Sequence, residues 1–188
     1  MPERIAGLPP IAHPDARVLI LGSMPGAEWF PGARWIWAAQ ETRNQYVLFA
    51  RELSVPPGAS ELRATVTASS HYELWVDGTF VNRGPVHGDP KWCHYDELVH
   101  PLVPGSATVC IAILVHHASG THIHCLTPAP AGLLASFRMG ELDFGTDETW
   151  PCLDLRMWKL DVPARGWALG YCEDYDASLE PEGWADKR

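Results

Sequence analysis

The densest gathering of hydrogen-bonding side chains lies between Asn82 and Asp96, where Asn82, Arg83, His87, Asp89, Lys91, Trp92, His94, Tyr95 and Asp96 occur together. Amide, carboxylate and guanidinium groups form paired hydrogen bonds that match neighbouring hydroxyls on a ring. An indole offers a flat apolar face to the C–H side of such a ring. These residue types point to recognition of a hydroxyl-rich ring, with Trp92 as the platform. Asn82, Arg83, His87, Asp89, Lys91, His94 and Asp96 would be its polar contacts. A structural reading stands beside this one: Arg83 and Asp96 pin a loop, and Trp92 plugs the end of the fold.

Other constellations are sparser. His116, His117, His122 and His124 fall in one stretch. His122 and His124, two apart, would share a face of a strand and could hold a transition metal if a third ligand arrived. A polar face, or an interface with another module, is the simpler reading. Asp143, Asp147, Glu148, Glu173, Asp174 and Asp176 are oxygen donors of the kind calcium takes, without EF-hand spacing. They make calcium the candidate cofactor, against a solvated acidic rim. Ser, His and Asp are plentiful, but no G-x-S-x-G element arranges them for acyl transfer. Trp29, Phe30, Trp35 and Trp37 are read as covering the fold where the N-terminal segment joins it.

The elements that must position these groups read as strands. Val18–Leu21 is one short apolar run. Tyr46–Leu53 fits a strand with imperfect alternation, and Leu62–Ala68 alternates better. His71–Val76 leads into Asp77-Gly78, a strong hairpin signal, and returns through Thr79–Val81. Residues 82–96 are expected to form one long loop and 116–130 a second. Val109–Val115 between them is a near-continuous apolar strand. Leu133–Met139 and Trp167–Glu173 complete the set, with no long helix and no repeat. Short strands separated by frequent turns imply a β-sandwich or jelly roll.

Bulk properties narrow the function. The 188 residues are 46% hydrophobic and 20% charged, a globular composition for one domain or one domain with an extension. The net charge of −9 disfavours nucleic acid, whose phosphates demand a basic surface. No apolar run approaches a membrane-spanning length, and no secretory signal is visible at the N-terminus, which leaves the compartment open. Five cysteines without a C-x-x-C are read as reduced, buried small apolar residues. Nine tryptophans are unusual and serve either a packed core or stacking on ligands.

An ordered series of motifs resembles a known family. It runs through Trp35-Ile36-Trp37, Tyr46–Arg51, Ser70–Gly78, Arg83–Val86, Asp89-Pro90, Tyr95-Asp96, Ile113–His117, Gly132–Leu134, Gly145–Trp150 and Glu180–Trp184. Over about residues 34–184 this series resembles the N-terminal β-sandwich domain of bacterial α-L-rhamnosidases. In that family a helical barrel supplies the two carboxyl groups that glycoside hydrolysis needs. The resemblance therefore implies a non-catalytic, galactose-binding-domain-like sandwich over 34–188, which binds rhamnose or rhamnosyl glycans. The alternative is a docking domain for the catalytic barrel. Residues 1–33 are read as an N-terminal extension. Within it, Pro10–Gly26 resembles the opening strand and loop of mismatch-type uracil or hypoxanthine DNA glycosylases, echoed by Arg43-Asn44-Gln45-Tyr46. One strand and loop cannot build a base-flipping pocket, so a glycosylase remnant is the remote alternative.

Overall fold

The apolar run at 109–115 becomes the middle of a sheet because both of its faces are covered. A computed structural model of the chain describes residues 18–20, 30–86, 94–118, 130–166 and 170–181. The strands are β1 (Val18–Ile20), β2 (Gln45–Ser54), β3 (Glu61–Ala68), β4 (His71–Val76), β5 (Thr79–Gly84) and β6 (His94–Pro101). Then follow β7 (Thr108–His117), β8 (Leu133–Met139), β9 (Leu142–Gly145), β10 (Cys152–Asp154), β11 (Ala164–Gly166) and β12 (Gly170–Tyr171). One five-stranded sheet has the order β1-β6-β3-β8-β9 and the other β10-β2-β7-β4-β5, while β11 and β12 form a separate pair. All pairings are antiparallel.

The two five-stranded sheets pack face to face as a β-sandwich. Val47 and Phe49 of β2, Tyr72 and Leu74 of β4, and Ile111 and Ile113 of β7 meet Leu62 and Val66 of β3 and Leu133 and Phe137 of β8. Each fully buried aliphatic or aromatic side chain here stabilises the fold by about 1.5–3 kcal/mol. The imperfect alternation of β2 has a plain cause. Its odd residues enter this core, and Tyr46 and Leu48 pack on the outside against Trp75, Leu114, Leu155 and Met157. The segment after β10 thus closes the outer face, pinned by the Leu155 amide donating to the Tyr46 carbonyl at 2.9 Å. On the other sheet, Phe30 packs with Tyr95 and Leu134, and β1 pairs with β6.

Several expectations need correction. Residues 82–96 are not one loop: Asn82–Gly84 continue β5, and His94 opens β6. β6 reads as polar because Asp96 takes an inward position that an apolar residue would usually hold. The loop expected from 116 likewise begins later, since His116 and His117 complete β7. Of the strand expected over 167–173, Gly170 and Tyr171 form β12, Cys172 and Glu173 lie beyond it, and 167–169 are outside the described residues. β9, β10 and β11 are too short for their sequences to announce them. Cys152 is exposed and Cys110 and Cys172 are half-buried, so burial does not hold for the cysteines as a class. Cys93 and Cys125 lie outside the described residues.

Candidate functional site

One end of the sandwich collects most of the chemistry-bearing residues. β2 starts there, β3 ends and β4 starts, β5 ends and β6 starts, and β7 ends and β8 starts. Both long connections, after Val86 and after Ala118, therefore leave from this end.

Of the expected ring-binding residues, four are described, and they divide between two environments. Asn82 and Asp96 converge on one hydroxyl inside the sandwich. Tyr72 of β4 donates to Asp96 Oδ2 across the two sheets, and Asn82 Nδ2 donates to the Tyr72 oxygen at 2.9 Å. Burial raises the Asp96 carboxyl above its ordinary range, partly offset by its bonds to Tyr72 and Asn82 and by the His94 charge. Burial, followed by the Asp96 hydrogen bond and charge, also pushes the Tyr72 hydroxyl far up. His94, two residues before Asp96, shares its side of the strand and is half-buried. Arg83 instead lies on the outer face of its sheet, exposed and paired with Glu73 of β4. His87, Asp89, Lys91 and Trp92 lie outside the described residues.

The histidines of β7 do not act as a pair. Successive strand residues point to opposite faces. His116 joins an outer stack, lying on Tyr46 at 4.0 Å between ring centroids, with Trp158 beyond Tyr46 at 4.4 Å. Its Nε2 donates to Asn44 Oδ1 at 2.8 Å. Asn44 in turn donates to the Lys159 carbonyl at 3.4 Å, from a left-handed backbone (φ 56). His117 faces inward, with Ser69 Oγ 3.2 Å from Nδ1 and Glu41 Oε1 3.3 Å from Nε2. This Ser–His–Glu row is not built for acyl transfer. The imidazole is buried at 1% exposure, and the Ser69 oxygen already accepts the Gly132 amide at 3.2 Å. It closes the end of the sandwich, with Trp37 edge-on to the imidazole. His122 and His124 are outside the described residues.

The acidic residues are dispersed. Asp143 pairs with Arg138, Asp174 with Lys159 and Glu148 with Arg34. Asp147 accepts from Thr149, and Asp176 caps the short 3-10 turn Ala177–Leu179. Among the described residues no three His, Cys, Asp or Glu side chains come together as a metal site.

Sequence reasoning missed Tyr72, Asn44, Ser69 and Glu41, and it also undervalued Trp35. That indole is 40% exposed and packs against Gly132, where a β-carbon would sit 2.6 Å from its Cε3. Glycine at 132 therefore allows the ring its seat beside the start of β8, and the Ile36–Leu133 bridge fixes the backbone there. Of the other N-terminal aromatics, Phe30 is buried and Trp37 packs on the core, as expected of covering residues. Trp29 is outside the described residues. Most of the stretch 10–26 is too, whereas Asn44, Gln45 and Tyr46 belong to the sandwich end itself.

No family model and no curated protein matches this chain. Solved structures do. A GH78 family rhamnosidase of Bacillus sp. GL1 is 30% identical over 83% of this chain, with a TM-score of 0.73. The α-L-rhamnosidase of Aspergillus terreus is 17% identical over 86% of the chain, with a TM-score of 0.59. A Pleurotus ostreatus lectin is 18% identical over 71% of the chain, with a TM-score of 0.50, and the chain covers 38% of that protein. At such identities the Aspergillus and Pleurotus proteins share the fold alone. The chain spans 17% of the Bacillus enzyme and 20% of the Aspergillus one. Over most of its own length, the chain is thus a β-sandwich similar to one segment of GH78 rhamnosidases.

Proposed function

We propose that this chain is a non-catalytic carbohydrate-binding module of the kind that accompanies rhamnosidases. It takes rhamnose or rhamnosyl glycans at the end of the sandwich where Trp35 is exposed. The observation that carries this reading is the Trp35 indole, 40% exposed and seated against Gly132 at the end of the sandwich from which both long connections leave. An exposed indole suits the apolar side of a pyranose. Arg83 and His94 rise on the strands that flank the first connection, and His87, Asp89, Lys91 and Trp92 are proposed to supply further contacts from it. Asn82 and Asp96 support the site from beneath through Tyr72. Affinity is expected to be weak, since a monosaccharide offers few atoms.

The test is calorimetric titration with L-rhamnose and a panel of rhamnosyl oligosaccharides, repeated for Trp35→Ala and Trp92→Ala. Saturable heat that either substitution abolishes supports the site. Wild-type protein that gives no heat across the panel sinks the sugar-binding reading. A docking role toward a catalytic module would then stand. It is favoured by Val99 and Val103, which are 55% and 60% exposed on and just after β6.

A further inference from the structure

At the opposite end of the sandwich, a cavity of about 210 Å³ opens between Gly58, Ser60, Glu61, Arg63, Arg138 and Gly140. Arg63 of β3 and Arg138 of β8 stand directly opposite each other in the antiparallel register. Like charges in that position repel. Each guanidinium is balanced by its own carboxylate. Arg63 donates from Nε and Nη2 to Glu61 Oε1 at 2.8 and 2.7 Å. Arg138 donates from the same two nitrogens to Asp143 at 2.6 and 3.1 Å. Since a guanidinium has five N–H donors, these bonds leave Nη1 of both residues without a hydrogen-bond partner among the described residues. Both side chains remain more than half exposed at the cavity, at 61% and 58%.

Gly58 (φ +82) and Gly140 (φ +57) hold turns in the left-handed region; a β-carbon at Gly58 would meet nothing within 4 Å, and one at Gly140 would meet only the Ala59 methyl at 3.8 Å. The Arg138 guanidinium holds the Asp143 carboxyl below its usual range, and that partner therefore stays charged near neutral pH.

We propose that this cavity binds an acidic sugar, a uronate, with its carboxylate between Arg63 and Arg138. The Nη1 group of each guanidinium can donate to one oxygen of a planar carboxylate, so the two arginines would hold it from both sides. The ring lies along the Gly58 and Gly140 backbone, with the Ser60 hydroxyl within reach of a ring hydroxyl. The volume is below the ~300 Å³ at which drug-sized pockets begin, so one monosaccharide unit is the ligand. Glu61 shares the cavity and competes with the ligand for Arg63. The site is remote from Trp35 and independent of the function proposed for that end.

The experiment titrates the protein with D-glucuronate and D-galacturonate, with glucose and acetate as controls. Amide NMR resonances of Gly58 and Gly140 and calorimetry provide the readouts. The expected result is saturable shifts at both glycines with a uronate and none with glucose. Arg63→Gln and Arg138→Gln should each weaken binding about tenfold or more, by loss of a charge-assisted hydrogen-bonding partner. Glu61→Gln should strengthen it several-fold. Absence of shifts in the wild-type protein, equal binding of acetate, or full retention of binding in both arginine variants would overturn the assignment. The wild-type spectra decide the matter even if a variant folds poorly.

Discussion

The Tyr72 hydroxyl on β4 donates to Asp96 on β6, so one hydrogen bond joins the two sheets inside the end of the sandwich that carries the candidate sugar site. This contact has a pH signature. Burial raises the folded-state pKa of Asp96 above its unfolded value. Between those two values the folded chain binds more protons than the unfolded one, and stability falls as pH rises through that window. Asp96→Asn removes the titration. Urea unfolding at pH 7 and pH 4 should show the wild type gaining on Asp96→Asn as the pH is lowered. A difference between the two that does not change with pH would contradict this account.

Gly84 is the residue that lets Asp96 sit where it does. A β-carbon at position 84 would fall 1.9 Å from Asp96 Oδ2 and 3.0 Å from Tyr72 Cε1. Gly84→Ala must therefore displace the carboxylate and break the bond between the sheets. The expected cost is roughly 2–4 kcal/mol, from overpacking together with a buried group left unsatisfied. Gly105→Ala is the control. Its φ of +77 carries backbone strain, but nothing lies within 4 Å of the added carbon, so about 1 kcal/mol is expected. Denaturant midpoints rank the two, and an equal loss in both would remove the steric argument.

How far the sequence reveals this arrangement depends on what each residue packs against. β3, β4, β7 and β8 are legible because their inward residues are mainly apolar and most of their turns carry glycine or proline. β6 is not, since Asp96 occupies an inward position that only its distant partner Tyr72 makes tolerable. The covered outer face of β2 is likewise set by Leu155 and Met157, about a hundred residues further along the chain. At the site, residue types announced a polar cluster around 82–96 but not its division. Nothing local says that Asn82 turns inward to Tyr72 while Arg83 turns outward to Glu73. The seat of Trp35 is hidden for the same reason, because it depends on the glycine at position 132, about a hundred residues further along the chain.

That division makes Arg83 the clean probe of the proposed sugar site. Its ion pair with Glu73 is exposed, with the Arg83 side chain at 69%. Arg83→Ala should therefore change stability by less than about 1 kcal/mol. Asn82→Ala removes a donor to the buried Tyr72 oxygen and should cost more, about 1–2 kcal/mol. If rhamnosyl glycans bind at this end through Arg83, Arg83→Ala weakens binding several-fold while the melting temperature holds. Unchanged affinity in that variant would remove Arg83 from the site.

His116 gives the chain an acid sensitivity of opposite sign to that of Asp96. Burial, then repulsion from His71 and His117, lowers its pKa to about 3. The imidazole is enclosed by Tyr46, His71 and Asn44, and its Nε2 hydrogen is committed to the Asn44 carbonyl oxygen. In the unfolded chain the same group takes up a proton near pH 6.5. Between about pH 6.5 and 3 the unfolded state therefore binds more protons, and folding stability falls as the pH drops through that window. From pH 6.5 to 4 the loss is on the order of 3 kcal/mol. His116→Gln keeps a donor for Asn44 but has no such titration. It should be less stable than wild type at pH 7.5, through loss of the stack on Tyr46, and should lose less on acidification to pH 4. In the wild type, the His116 ring resonances should not move between pH 8 and 5. A midpoint near 6.5 in those resonances would show that the imidazole is solvated and the stack open.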